Sequence, residues 1–222
     1  MNQNNIVKYS IFAGLWAILL IPFFVANTMF FPYITGKNFA FRIIIEIIFA
    51  LWVYLAYVDT KYRPKFSWVS ISVIAFVAIM AVADFFAVNS MKAFWSNYER
   101  MDGWITLIHL LMYLLVFGSV MKAEKTWLRF FRSSVFISMI MLIFSVQEWL
   151  KTGTARVSVT LGNPIYVAVY FLFNFRSCRS LLRGLITGRP RCYAQCRPAP
   201  IISAVPRPPR CHRETMPLSV RK

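Results

Sequence analysis

Five long apolar stretches, each close to the length of a bilayer-spanning helix, constrain this chain more than any other feature. A helix crosses a hydrocarbon core of about 30 Å with roughly 17–25 mainly apolar residues. The stretches cover residues 9–31, 39–58, 67–88, 104–121 and 133–150. A sixth, IYVAVYFLFNF, starts at Ile165 and ends at Phe175. At about 1.5 Å of rise per residue it is too short to span, so it is expected to be truncated. Composition excludes a water-soluble core: 59% of the residues are hydrophobic and only 15% are charged. Soluble domains hold roughly 45–50% apolar and about 25% charged residues. The first stretch is too long for the apolar core of a secretory signal, so it reads as a retained anchor.

The net charge of +17 is unevenly spread. Of the 25 Lys and Arg, 11 lie after Phe175, with Glu214 as their only acidic counterpart. All four cysteines (Cys178, Cys192, Cys196, Cys211) and seven of the 11 prolines lie there too. The expectation is therefore two segments. Residues 1–175 form a transmembrane domain, and residues 176–222 an Arg/Pro/Cys-rich tail. The tail is read as disordered or as the product of a shifted reading frame or a join to unrelated sequence, because the change falls inside an apolar stretch that a membrane needs complete; a genuine basic cytoplasmic tail that binds anionic lipid is the rival reading. The fold class expected is all-α: a polytopic transmembrane helix bundle with five complete spans, a truncated sixth and a disordered basic tail.

Lys and Arg in the connections orient such a bundle, with the richer side cytoplasmic. A cytoplasmic N-terminus puts Lys8, Lys61, Arg63, Lys65, Lys122, Lys125, Arg129 and Arg132 inside. It puts Lys37, Lys92, Arg100, Lys151 and Arg156 outside. The ionisable residues inside the stretches, Arg42, Glu46, Asp84, His109 and Glu148, then all fall in the outer half of the membrane. Charges in hydrocarbon default to functional sites, with snorkelling or local pairing as the plain alternative. Arg42 and Glu46, spaced i, i+4, share a helix face and can pair, and for them the functional and the plain readings are equally open. For Asp84 and Glu148, near stretch ends, local pairing is the preferred reading. For His109 the plain reading is a hydrogen bond to a neighbouring helix.

The two longer outward connections carry the chemistry. NSMKAFWSNYERMDG (residues 89–103) mixes aromatic and charged side chains, as an interfacial belt does. Its Arg100 is a candidate for gripping phosphate, because guanidinium binds phosphate oxygens with two parallel N–H donors. KTGTARVSVTLGNPIY (residues 151–166) holds Arg156 and the turn formers Gly153, Gly162 and Pro164. Asn163-Pro164 predicts a turn opening directly into a helix, with Pro164 at its first position. Walker, dinucleotide-binding and zincin patterns are absent. Cys192, Cys196, Cys211 and His212 have a spacing that zinc could use, but their Pro- and Arg-rich surroundings offer no fold to hold a metal, so none is expected. The basic tail lacks an aromatic platform, so no nucleic-acid partner is expected.

FWSNYERMDGWITLIHLLMYLL (residues 94–115), SVMKAEKTWLRFF (residues 119–131) and ARVSVTLGNPIYVAVY (residues 155–170) together resemble the N-terminal half of the O-antigen ligase-like family. That family includes O-antigen ligases, O-antigen polymerases and bacterial protein O-oligosaccharyltransferases. Its pattern of an Arg, a few residues and then [TS]-x-G-N-x-x-Y-x-A reads here as Arg156, Thr160, Gly162, Asn163, Tyr166 and Ala168. The resemblance covers about residues 10–175. It implies an integral protein of the cell's inner membrane, with a lipid-linked glycan donor as partner and no cofactor. It implies glycan transfer from undecaprenyl pyrophosphate to a lipid, glycan or protein acceptor at the extracytoplasmic face. Arg156 and Arg100 match the pyrophosphate-binding positions; Gly162, Asn163, Pro164 and Tyr166 match the residues that shape the loop. The family's catalytic loop lies in a second half that this sequence does not match, so the chain is expected to be inactive alone and no catalytic residue is assigned. A transporter or flippase component, or a non-functional membrane fragment, are the alternatives.

Overall fold

The computed structural model describes residues 3–29, 31–97, 101–154 and 156–187. Among these residues every regular element is helical. The α-helices are α1 (Gln3–Leu20), α2 (Thr35–Val58), α3 (Trp68–Phe85), the short α4 (Ser90–Trp95), α5 (Trp104–Val120), α6 (Glu124–Thr152) and α7 (Pro164–Thr187). Single 3₁₀ turns occupy Ile21–Phe23, Thr60–Tyr62 and Val159–Leu161. Four helices are long and apolar enough to cross a membrane: Asn4–Phe23, Thr35–Val58, Trp68–Phe85 and Glu124–Thr152. The chain thus has the helices of a multi-pass membrane protein. α5 is equally apolar but 17 residues long.

The helices occupy the expected stretches, with shifted ends. α1 starts at Gln3 and stops at Leu20, whereas apolarity alone runs on to Phe31. Pro22 accounts for the early stop. It lacks the N–H that the next α-turn needs, and the chain tightens into a 3₁₀ turn and then becomes extended at Phe24. The chain then folds back, with Ala26 N–H donating to the Pro32 carbonyl (3.2 Å). α6 starts at Glu124, well before the apolar stretch, because its basic first turns form good helix; the acidic Glu124 suits the positive end of the helix dipole. α7 does not stop at Phe175 with the apolar stretch. It continues to Thr187 through Arg176 and Arg179, which are exposed. Helix propensity does not require apolarity, and Ser, Arg and Leu sustain the helix through the change in composition. The rest of the expected disordered tail, residues 188–222, lies outside the described residues.

Helix packing follows the order α3–α5–α2–α1–α6–α7. The buried core lies where α2 meets α1 and α5. Ile45, Ile48, Trp52 and Leu55 of α2 close on Ile11 and Leu15 of α1 and on Val116 and Val120 of α5. Interhelical hydrogen bonds supplement the packing. The Trp16 indole donates to Ser133 Oγ on α6 (3.2 Å), and the Trp104 indole donates to the Val77 carbonyl on α3 (3.0 Å). Where α1 crosses α2, a Cβ on Gly14 would run into Ile48 Cγ2, and Ile48 is itself buried. In lipid the close approach of helix backbones is a main source of packing energy, and small residues permit it. Gly14→Val is expected to lower stability by about 1–3 kcal/mol through overpacking. Reversible unfolding in mixed micelles measures this, and a change within error would mean that α1 does not approach α2 so closely.

Candidate functional site

The polar residues of α2 build the site. Asn38, Arg42 and Glu46 recur at helical spacing and share one face, as i, i+4 residues do. Facing them along α5 and its lead-in are Asp102, Thr106 and His109. Asn38 Nδ2 donates to Asp102 Oδ1 (3.0 Å). Arg42 Nη2 donates to Thr106 Oγ1 (2.8 Å) and to the Met101 carbonyl. His109 Nε2 meets Glu46 Oε1 at 3.0 Å. The three links ascend both helices together, so α2 and α5 run in the same direction, joined by a polar ladder.

The Arg42–Glu46 pair that the spacing allows does not form. Both side chains turn to α5 instead. The reason is where the unmet demand lies. Arg42 is 5% exposed and His109 4%, and each needs a partner across the interface. A pair within α2 would leave His109 Nε2 without its partner, at a cost of several kcal/mol for an unsatisfied group in hydrocarbon. His109 Nδ1 lies 2.6 Å from the Ile105 carbonyl, so both ring nitrogens face oxygen acceptors. Glu46 itself is 63% exposed at the side chain. The hydrogen bond to a neighbouring helix expected for His109 is present.

A second set of ties holds the connection between α6 and α7. Glu148 Oε1 accepts from the Ser158 N–H (3.2 Å) and hydroxyl (3.3 Å), and Oε2 accepts from the Val159 N–H (2.6 Å). Glu148 therefore pairs locally, as expected for a carboxylate at a helix end. Lys37, in the first turn of α2, donates to the Thr160 carbonyl, and Thr160 Oγ1 donates to the Pro22 carbonyl (2.8 Å). The connections after α1, α3 and α6 thus meet at one end of the bundle.

The backbone is strained at both clamps. Met101 (φ 51°) and Val159 (φ 43°) sit in the left-handed region without being glycine. Such residues cost about 1–3 kcal/mol each and persist where surrounding bonds over-determine them. The Met101 carbonyl accepts from Arg42 and from Thr106 Oγ1 (3.1 Å), and the Val159 N–H is fixed by Glu148.

The sequence-predicted residues fall around these clamps. Arg156 is exposed, two residues before Ser158, and no side-chain partner holds it among the described residues. Arg100 lies outside the described residues; its neighbour Met101 is the clamped one. Gly162 has φ +72°, and a Cβ there would stand 2.6 Å from Tyr33 Cβ and 2.7 Å from its Cγ. Asn163 Oδ1 accepts from the Ile165 N–H (2.9 Å), which caps the first turn of α7, and Pro164 is that helix's first residue. Asp84 is half-buried near the end of α3 and joins neither clamp. Sequence reasoning missed Lys37, Asn38, Asp102 and Thr106. The readable signal was N-x₃-R-x₃-E on α2 facing D-x₃-T-x₂-H leading into α5.

Two cavities open at this end. One of about 310 Å³ lies beside Glu148, lined by Phe144, Gln147, Lys151 and Thr160. The other, of about 210 Å³, lies between residues 31–34 and the Leu161, Gly162, Asn163 and Tyr166 positions. No group of three or more metal-ligating side chains exists among the described residues. Cys192, Cys196, Cys211 and His212 lie outside them. No protein-family model matches the chain, nor does any curated protein or any solved structure.

The Glu46–His109 link is expected to be a genuine interhelical bond. A double-mutant cycle of Glu46→Ala and His109→Ala should give a coupling of about 0.5–2 kcal/mol in micelle unfolding. Additive single effects would show that the two side chains do not interact.

Proposed function

We propose that this chain belongs to a lipid-linked glycan transferase of the O-antigen ligase-like kind, acting at the extracytoplasmic face of the inner membrane. In this reading the N-terminus is cytoplasmic. The five apolar helices α1, α2, α3, α5 and α6 cross the bilayer, with α5 short enough to thin it locally, and α7 is the truncated sixth span. The donor is a glycan on undecaprenyl pyrophosphate, and the acceptor is a hydroxyl on lipid, glycan or protein. The bond from the anomeric carbon to pyrophosphate breaks, a bond to the acceptor oxygen forms, and the proton of the acceptor hydroxyl passes to the leaving pyrophosphate. Arg156 and Arg100 bind the pyrophosphate and stabilise the negative charge that grows as it leaves.

One observation carries the reading. Arg100 and Arg156 each lie within two residues of a clamped backbone segment, and the two segments are tied to the same helix end. Met101 and Asp102 are held by Arg42 and Asn38; Ser158 and Val159 are held by Glu148, and Thr160 by Lys37. A fixed backbone beside each arginine narrows the reorganisation that electrostatic stabilisation of a leaving group would otherwise cost.

A second reading, a transporter or flippase component, draws support from Glu46. It lies about half-way along α2 with His109 against it, and intramembrane ion pairs near the midplane mark transport pathways. That reading expects proteoliposomes holding the chain to move undecaprenyl pyrophosphate between leaflets, and expects Glu46→Gln to stop the movement.

The transferase reading expects the chain in nanodiscs to bind undecaprenyl pyrophosphate saturably and undecaprenol weakly. Arg156→Ala should lower that affinity roughly ten- to a hundredfold, the worth of a charge-assisted hydrogen bond. Unchanged affinity in a folded variant would remove Arg156 from the site.

A further inference from the structure

We propose that the cavity between residues 31–34 and the Gly162–Asn163 turn is a subsite for the first sugar ring of the lipid-linked donor. The inference rests on the transferase reading and names the part of the donor that this cavity takes.

Its position comes first. The cavity precedes the first turns of α2 and α7, above the apolar parts of both helices. That is headgroup level, where the polar end of a polyprenyl lipid emerges. Its volume, about 210 Å³, lies below the roughly 300–1,000 Å³ of pockets for drug-sized ligands, so it has room for about one ring.

Its chemistry selects the neutral part of the donor. None of its lining residues carries a charge. Pyrophosphate therefore gains nothing inside it. Cationic residues flank its lining residues along the chain instead: Lys37 is one turn along α2 and donates to the Thr160 carbonyl, and Arg156 is upstream in the same connection. The walls include Phe31, Tyr33 and Tyr166, and the two tyrosines are 43% and 40% exposed. The C–H face of a pyranose is weakly positive and packs against the negative face of an aromatic ring. Asn163 uses Oδ1 to accept from the Ile165 N–H, which leaves its amide nitrogen to donate to a sugar hydroxyl or acetamido oxygen.

The walls are held in place. Gly162 at φ +72° lets the turn sit directly on the Tyr33 ring, where a Cβ would come within 2.6–3.1 Å of three Tyr33 atoms. Tyrosines of a plain interfacial belt face lipid singly. Here two of them share one small cavity with a side-chain amide.

The test compares affinities of the chain in nanodiscs for bare undecaprenyl pyrophosphate and for the same lipid carrying one hexose or one N-acetylhexosamine. The expected result is roughly three- to tenfold tighter binding of at least one sugar-bearing lipid. Tyr33→Ala should bring the ratio close to one while keeping affinity for the bare lipid, and Tyr33→Phe should keep most of the preference. The retained bare-lipid affinity shows that the variant is folded. Equal affinities in the native chain overturn the sugar subsite and leave the pyrophosphate reading standing. A preference unaffected by Tyr33→Ala overturns it too. Binding of neither lipid overturns the transferase reading and this inference with it.

Discussion

In hydrocarbon a polar group has no water to fall back on, so each one inside a bundle has to find a partner in the protein. α2 raises this demand most sharply, because Lys37, Asn38, Arg42 and Glu46 interrupt an otherwise apolar helix. All four bond to other elements, Lys37 to the connection before α7 and the others to α5 and its lead-in, although Arg42 keeps its buried Nε without a partner among the described residues. Elsewhere on α2, Ile45, Ile48, Trp52 and Leu55 fill the apolar core against α1 and α5. α2 is therefore the post to which the neighbouring helices and two of the connections are tied.

The same ties have a consequence for chemistry. A connection that carries an arginine is of little use for binding a phosphate if its backbone wanders. Arg42 with Thr106, and Glu148 with Ser158, fix the backbone within two residues of Arg100 and Arg156. Left-handed backbone at Met101 and Val159 is tolerated at these points because hydrogen bonds hold it. In the proposed function the intramembrane polar groups act one step behind the candidate arginines, by fixing the backbone beside them.

The sequence made the apolar helices legible because apolarity is a local property, readable residue by residue. Helix ends were less legible. The end of α1 depends on Pro22, and the start of α6 depends on the helix propensity of a basic segment; an apolar stretch records neither. α7 continues past Phe175 for the same reason. The partners of Arg42 and Glu46 were open for a different reason: i, i+4 spacing says that two side chains can meet, but not that a neighbouring helix offers each a better partner. The N-x₃-R-x₃-E and D-x₃-T-x₂-H patterns acquire meaning only once α2 and α5 are known to lie side by side and parallel. Asn163-Pro164 was legible in full, because a cap and a first-turn proline depend only on adjacent residues.

The account stands or falls on the two arginine-bearing connections sharing the extracytoplasmic side. Single cysteines at Asn97 and Thr154, in a chain whose own four cysteines are serine, test it directly. Both are predicted to react with a membrane-impermeant maleimide in intact cells. Cysteines at Lys61 and Ala123, at the opposite end of the bundle, should react only after the membrane is opened. Labelling of Asn97 and Thr154 from opposite sides, or of both only after permeabilisation, would contradict the account.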